Sequence, residues 1–363
     1  MSPTSQDRNR KKKGPGRRRA VNTLVVLGLL GTSAYLTVEL RDRQRTDTAP
    51  PVRAVAGNAP AIGNKAGTGE RRYERLANPA RTVVRGPDGG VLATFSDGAR
   101  TAVLTGPSRT FAEPKYTSAK VTTDSWVRLL PQPWTEGAEK TAWFTEWFGK
   151  FLGSREPDIF AFSMEYLEGA PAKKDAQGIQ YAGDAQFGPL NPNGSEAGDL
   201  RLEQSDFYDY LGIPYTFRDG TVEHPEAARL RSMDCSGFVR TVFGYRARYP
   251  LLGKDVKGDG LPRTANGMAR FSPGVPVLEL TGGRPAATDR LQPGDLVFFD
   301  IDKRTGDRLD HVGIYLGLDT DGKPRFISSR EEANGPTFGD KGGTARLDGS
   351  GFYSTGLRSA KRL

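Results

Sequence analysis

The feature that most constrains this chain is an uncharged apolar run, residues 20–38, set directly behind a basic start. A helix of that length covers the ~30 Å of hydrocarbon in a bilayer. The flank before it holds Lys11, Lys12, Lys13, Arg17, Arg18 and Arg19, and the more basic flank stays in the cytoplasm. Arg41, Arg43 and Arg45 lie on the far side but are outnumbered. A cleaved signal peptide is the competing reading. Its apolar core is usually about 7–15 residues, closely followed by a small-x-small site, whereas Ala54-Val55-Ala56 lies far beyond the run. The expectation is a basic cytoplasmic tail (1–19), a transmembrane helix (20–40) and a single-pass cell-membrane protein whose C-terminal domains are extracytoplasmic.

The same start explains the net charge. Residues 1–20 contribute +7 of the total +9. The nearly neutral body has no phosphate-binding face, so no nucleic-acid partner is expected. One cysteine excludes a disulfide framework within the chain. With two histidines beside it, no zinc cluster is expected. Two acidic turns, 255–260 and 319–322, lack the ligand spacing of a calcium loop, and the second reads as a hairpin turn. Neither a metal nor a cofactor is expected.

Between the apolar run and the C-terminal half the pattern changes three times. Residues 41–78 are polar and rich in Ala, Pro, Gly and Arg, which reads as a flexible tether. Residues 79–132 hold β-prone runs, Thr82-Val83-Val84, Gly90-Val91-Leu92-Ala93-Thr94-Phe95, Thr101-Ala102-Val103-Leu104 and Trp126-Val127-Arg128-Leu129-Leu130. Turn signals at 87–90 and 96–98 split them. This resembles a small bacterial SH3-like module, either a wall-binding unit or a spacer packed on the C-terminal domain. Residues 133–199 read as a helical connector and loop. A helix is expected over 137–152, with Trp143, Trp147 and Phe151 as a packing stripe. A second is expected over 158–167, and Gly- and Asp-rich loop over 170–200.

The chemistry concentrates in Met233-Asp234-Cys235-Ser236-Gly237-Phe238-Val239-Arg240. Phe238, Val239, Val242 and Phe243 form a helical stripe, so Cys235 falls at a helix N-terminus. Unpaired N–H groups there favour a thiolate, which is the reactive form of a cysteine nucleophile. A base is also needed. His224 lies in a polar loop and reads as a surface residue. His311 opens the strand His311-Val312-Gly313-Ile314-Tyr315-Leu316-Gly317, in which Val312, Ile314 and Leu316 share one face and His311, Gly313 and Tyr315 the other.

Asp234-Cys235-Ser236-Gly237-Phe238-Val239 resembles the nucleophile motif of the NlpC/P60 family of cell-wall peptidases. Leu291-Gln292-Pro293-Gly294-Asp295-Leu296-Val297-Phe298-Phe299 is similar to its next strand, and the His311 run to its histidine strand. Gly212-Ile213-Pro214-Tyr215, Leu261-Pro262-Arg263-Thr264-Ala265 and the closing Leu357-Arg358-Ser359-Ala360-Lys361-Arg362-Leu363 follow the same order. The resemblance covers about residues 200–363. It implies an α+β, papain-like fold, with a cysteine-bearing helix on an antiparallel sheet. It also implies amide hydrolysis in peptidoglycan stem peptides by Cys235 as nucleophile and His311 as base. The Cys235 N–H and the Tyr215 hydroxyl would hold the oxyanion, and Asp234 and Ser236 would line the acyl side.

The sequence departs from that pattern in two places. The third, imidazole-orienting residue falls at Ser328, a shorter group than the usual His, Asn or Gln, with Asn334 as an alternative. The Tyr215 motif also departs, since Thr216-Phe217-Arg218-Asp219-Gly220 lacks the usual glycine pair and an insertion of about 219–232 precedes Cys235. Two further readings therefore stay open: a wall-binding or scaffold protein that keeps the fold, and a thiol amidase or acyltransferase on another substrate. Protein partners are not legible.

Overall fold

The computed structural model describes residues 70–194 and 200–363. The expected tail, membrane helix and most of the tether lie outside the described residues. Among those described, no helix is long and apolar enough to cross a membrane.

The first unit is an antiparallel sheet in sequential order, β1 (Arg72–Leu76), β2 (Arg81–Arg85), β3 (Val91–Ser96), β4 (Thr101–Ala112) and β5 (Lys120–Leu129). Strand β1 falls where the tether was expected. Its side chains are almost all exposed, so it lacks the alternation that marks a half-buried strand. Strand β4 runs well past Leu104. Its register with β5 slips between Thr105 and Arg109, and Pro107, which has no N–H to give a ladder, sits in the slip.

Helix α1 (Ala142–Phe151) follows. Its aromatic stripe is packing, as expected, but it packs into the sheet. Phe144, Trp147 and Phe148 share one core with Val84, Phe95, Leu104 and Trp134. Phe95 stacks on Trp134 at 4.5 Å and meets Phe144 edge-on at 5.3 Å. A division at residue 132 would run through this core.

The second unit begins with α2 (Ile159–Met164), shorter than the expected 158–167. Its cap Asp158 accepts from Ala161 N at 3.0 Å, from Val127 N at 2.8 Å and from both terminal nitrogens of Arg109. A small hairpin follows, β6 (Lys173–Lys174) and β7 (Gln180–Ala182), in the stretch expected to be loop. Next come α3 (Phe207–Leu211), β8 (Tyr215–Thr216), β9 (Val222–Glu223) and α4 (Cys235–Val239), which continues in π-helical turns over Arg240–Arg246.

The main sheet is built from β10 (Val275–Leu278), β11 (Leu296–Phe299), β12 (His311–Leu318), β13 (Pro324–Arg330), β14 (Gly335–Thr337) and β15 (Leu357–Arg362). Its order is β10-β15-β11-β12-β13-β14, with every pair antiparallel. Helix α5 (Ala265–Phe271) precedes β10, and α6 (Phe352–Gly356) precedes β15.

The sheet is covered on both faces. Leu296, Phe298, Val312, Ile314 and Leu316 pack with Met233, Phe238 and Val242 of the cysteine segment. Val297, Phe299, Tyr315 and Phe326 pack with Tyr353 and Leu357 on the other face. The expected alternation of β12 therefore holds. The fold is α+β, with the Cys235 helix packed on an antiparallel sheet and a separate sheet before it.

The two sheets are joined by buried contacts. Val121 and Val127 of β5 enter the core around Cys235. The Glu113 carboxylate, from the β4–β5 connection, accepts from Thr337 Oγ1 at 2.8 Å and Phe338 N at 2.9 Å. Arg362 forks onto Asp295 at 2.7 and 2.8 Å and reaches Ser96 Oγ at 2.6 Å. Of the two expected roles for the first unit, these contacts give direct support to packing.

Candidate active site

The cysteine turn is held by charge. Asp234 caps α4, and its Oδ1 accepts from Gly237 N at 2.7 Å and from Ser236 Oγ at 2.8 Å. Its Oδ2 accepts from Gln204 N and Arg263 Nη2, both at 2.9 Å. Arg263 Nη1 also donates to Ser236 Oγ at 2.7 Å. One turn on, the fully buried Arg240 pairs with the fully buried Asp206 at 2.9 Å and donates to the carbonyls of Leu252 and Leu261. Residue 237 is glycine because a Cβ there would stand 2.3 Å from Ser205 O. Ser329 Oγ donates to Met233 O at 2.6 Å, tying the turn to β13. Asp234 and Ser236 are thus buried parts of the scaffold that sets the cysteine in place.

Cys235 is buried, and its Sγ lies 3.7 Å from Asp310 O, the carbonyl immediately before His311. Asp310 is itself fixed, accepting from Ile301 N, Asp302 N and Thr305 Oγ1. The thiol therefore stands over the start of β12. Burial pushes the Cys235 thiol well up, and the carboxylates of Asp234 and Glu203 push the same way. The Val312 N–H and Arg263 oppose them. This differs from the sequence expectation of a thiolate, for a physical reason. Burial disfavours the charged thiolate more than a helix start favours it, and the Asp234 carboxylate that caps α4 sits where the positive end of the helix dipole would act.

Glu203, an exposed residue that sequence reading did not name, places its carboxylate near enough to act on the thiol. Loss of water around its carboxyl, followed by Asp234, Glu331 and Asp310, pushes it up to about 7. It lies in an irregular segment with no motif, so only the fold brings it to the thiol.

The histidine side is aromatic. The imidazole of His311 lies 5.2 Å from the Tyr353 ring and 5.8 Å from Phe299, its partner across β11 and β12. Nε2 is buried and has no hydrogen-bond partner among the described residues. Burial lowers His311 to about 3, and the Arg330 guanidinium adds to this while Asp234 opposes it. No hydrogen bond joins imidazole and thiol among the contacts of either residue. Burial thus favours the uncharged form of both groups, thiol and imidazole.

Ser328 is fully buried, but its Oγ accepts from Arg330 Nε at 3.1 Å. Asn334 Oδ1 accepts from Phe187 N at 3.3 Å. Neither hydrogen-bonds to His311. Tyr215 packs edge-on against Phe207 at 4.7 Å and Phe217 at 4.9 Å, so its ring belongs to an aromatic group beside α3. His224 is exposed. Asp319 closes the β12–β13 hairpin, accepting from Asp321 N and Lys323 N and pairing with Arg325. Among the described residues no three His, Cys, Asp or Glu side chains group as a metal site.

The cysteine helix, the histidine strand and their order agree with a comparison against known families, in which residues 212–339 match the NlpC/P60 family. The chain carries an NlpC/P60 domain. Over 124 residues it is 31% identical to the gamma-DL-glutamyl hydrolase of Bacillus subtilis. That match takes in 34% of this chain and 22% of the relative, so the chain spans about a fifth of that protein's length. A crystal structure of a lipoprotein-like NLP/P60 protein from Staphylococcus aureus aligns over 63% of this chain and 54% of its own, with 16% identity and a TM-score of 0.26. The NlpC/P60 match takes in Cys235, His311, Ser328 and Arg330. Glu113, Glu203 and Tyr353 lie outside the matched residues.

Proposed function

We propose that the chain is a membrane-anchored, extracytoplasmic cysteine hydrolase that cuts an amide bond in peptidoglycan stem peptides. The observation that carries the reading is the thiol of Cys235 over the start of β12, 3.7 Å from the carbonyl that directly precedes His311, inside the matched domain. The domain's family is one of cysteine peptidases. The relative's name denotes hydrolysis at glutamyl links, which makes a γ-glutamyl bond the first candidate. The apolar run at 20–38 supports anchoring, and the SH3-like module would act as a packed spacer that orients the hydrolase.

The neutral pair dictates the order of proton movements. His311 takes the thiol proton as sulfur attacks the carbonyl, so no resting ion pair is needed. The oxyanion is held by the Cys235 N–H, which begins the first turn of α4 and has no helical carbonyl to serve. The Tyr215 hydroxyl is the second donor in this scheme. The C–N bond then breaks, the imidazolium returns its proton to the amine, and water attacks the thioester with His311 again as base.

The raised thiol and the unpaired imidazole favour one alternative, a wall-binding scaffold that keeps the fold. Full-length protein in detergent, incubated with purified peptidoglycan, separates the two. Mass spectrometry should find stem-peptide fragments with the native chain and none with Cys235→Ala. Identical silence from both chains would favour the scaffold.

A further inference from the structure

We propose that Tyr353 and Arg330 position the His311 ring, in the place that a hydrogen-bonding third residue would otherwise fill. This rests on the reading of His311 as the base. Among the described residues the imidazole Nε2 has no hydrogen-bond partner, and the group aligned for orienting the ring, Ser328, accepts instead from Arg330. What touches the ring is Tyr353, 5.2 Å between centroids with planes tilted by 36°, and Phe299 across the strand pair.

Tyr353 is held in turn. The Arg330 guanidinium carbon lies 4.4 Å from the Tyr353 centroid and 5.1 Å from that of Phe326. Arg330 is fixed by donation to Ser328 Oγ and to the carbonyls of Gly339 (3.1 Å), Lys341 (3.3 Å) and Gly343 (2.6 Å). Gly343 has φ +102°, and a Cβ there would stand 3.1 Å from Tyr353, so only glycine lets this loop close on the ring. A cation over one part of an aromatic ring is an attractive arrangement, stronger when water is absent. It fixes Tyr353, and Tyr353 fixes the imidazole by stacking.

The charged and titratable groups around His311 come from four places. Arg330 closes β13, Tyr353 lies on α6, Asp234 and Cys235 form the α4 turn, and Asp310 directly precedes His311 in the chain. Strand β11 contributes Phe299, which carries no charge. Glu113 adds a carboxylate that acts on Arg330 from the first sheet. Arg330 is thus a positioning residue that also disfavours the imidazolium, while Asp234 favours it.

The test is imidazole NMR of the full chain in detergent, labelled at histidine. The protein has two histidines, and exposed His224 serves as the internal reference. Tyr353→Leu should broaden or move the His311 ring signals, and Tyr353→Phe, which keeps the ring, should restore them. Arg330→Met should raise the His311 titration midpoint toward the ordinary ~6.5 and move the acid limb of activity the same way. Tyr353→Leu should also lower kcat roughly ten- to hundredfold, as a misplaced base does, with KM changed less than about threefold. Unchanged His311 signals and titration in folded Tyr353→Leu and Arg330→Met would overturn the proposal. If Arg330→Met does not fold, the Leu and Phe variants of Tyr353 decide alone. If the signals move as expected but the native chain cuts no peptidoglycan, the positioning stands and the hydrolase reading falls.

Discussion

Cys235 opens a helix and His311 opens a strand, yet their surroundings are built from different chemistry. Around Cys235, Asp234, Ser236, Arg263, Asp206 and Arg240 form a continuous set of ion pairs and hydrogen bonds, most of it out of water. Around His311 the contacts are rings, and a fixed cation, Arg330, acts through Tyr353. Directional bonds set a backbone turn and leave the thiol no freedom of place. Stacking sets the plane of a ring while leaving its nitrogens free to exchange protons. Under the proposed mechanism the difference suits a nucleophile that must stay put and a base that must give and take.

The largest effects should come from removing the reacting groups. His311→Ala is expected to lower kcat by roughly 10⁴-fold, the scale seen when one member of such a unit is lost. A fall of less than about tenfold would mean that another base serves.

The next effect breaks the cysteine half. Asp206→Ala leaves Arg240 buried without its partner, and this should cost about 3–5 kcal/mol, read from denaturant unfolding. A loss below about 1 kcal/mol would show the charge set to be incidental.

Proton linkage separates the halves more finely. His311 is held below its ordinary value, at about 3. Between about 6.5 and that value the unfolded chain takes up a proton that the folded chain refuses, so stability is lost as pH falls. His311→Gln should remove that share of the acid loss, leaving a shallower pH profile than the native chain. For Cys235 the shift is upward, so the thiolate is scarcer at neutral pH than in a free cysteine. Its alkylation at pH 7 should run about tenfold or more slower than a free thiol and still be climbing at about pH 9. A rate plateau near neutrality would show instead a resting ion pair with His311.

The smallest effect concerns Ser328. If Tyr353 and Arg330 orient the base, Ser328→Ala should change kcat/KM less than about threefold and cost about 1 kcal/mol through the hydrogen bond lost to Arg330. A tenfold fall would return the orienting role to the serine.

The sequence made the cysteine half easier to read than the histidine half. Cys235, its cap Asp234 and the stripe behind it are neighbours in the chain, and helical periodicity marks them. The faces of β12 followed from alternation, and the turn at Asp319 from its residues. Tyr353, Arg330 and Glu113 carry no local pattern. Tyr353 and Arg330 meet around His311 because β11, β12 and β13 pair in register and α6 closes over them, while Glu113 acts on Arg330 from the first sheet. What pushes the thiol up was hidden for a similar reason, since the helix start was visible but the burial around it and the carboxylate of Glu203 were not. In the first sheet, β1 was hidden by its exposed polar side chains and the length of β4 by Pro107.

The most direct test of the account is intact-protein mass spectrometry of the chain, acid-quenched while it digests stem peptides. The account predicts a thioester adduct, with the mass of the acyl fragment, on the peptide that contains Cys235, absent from Cys235→Ala. Fragment release that persists in Cys235→Ala, with no adduct on the native chain, would contradict it.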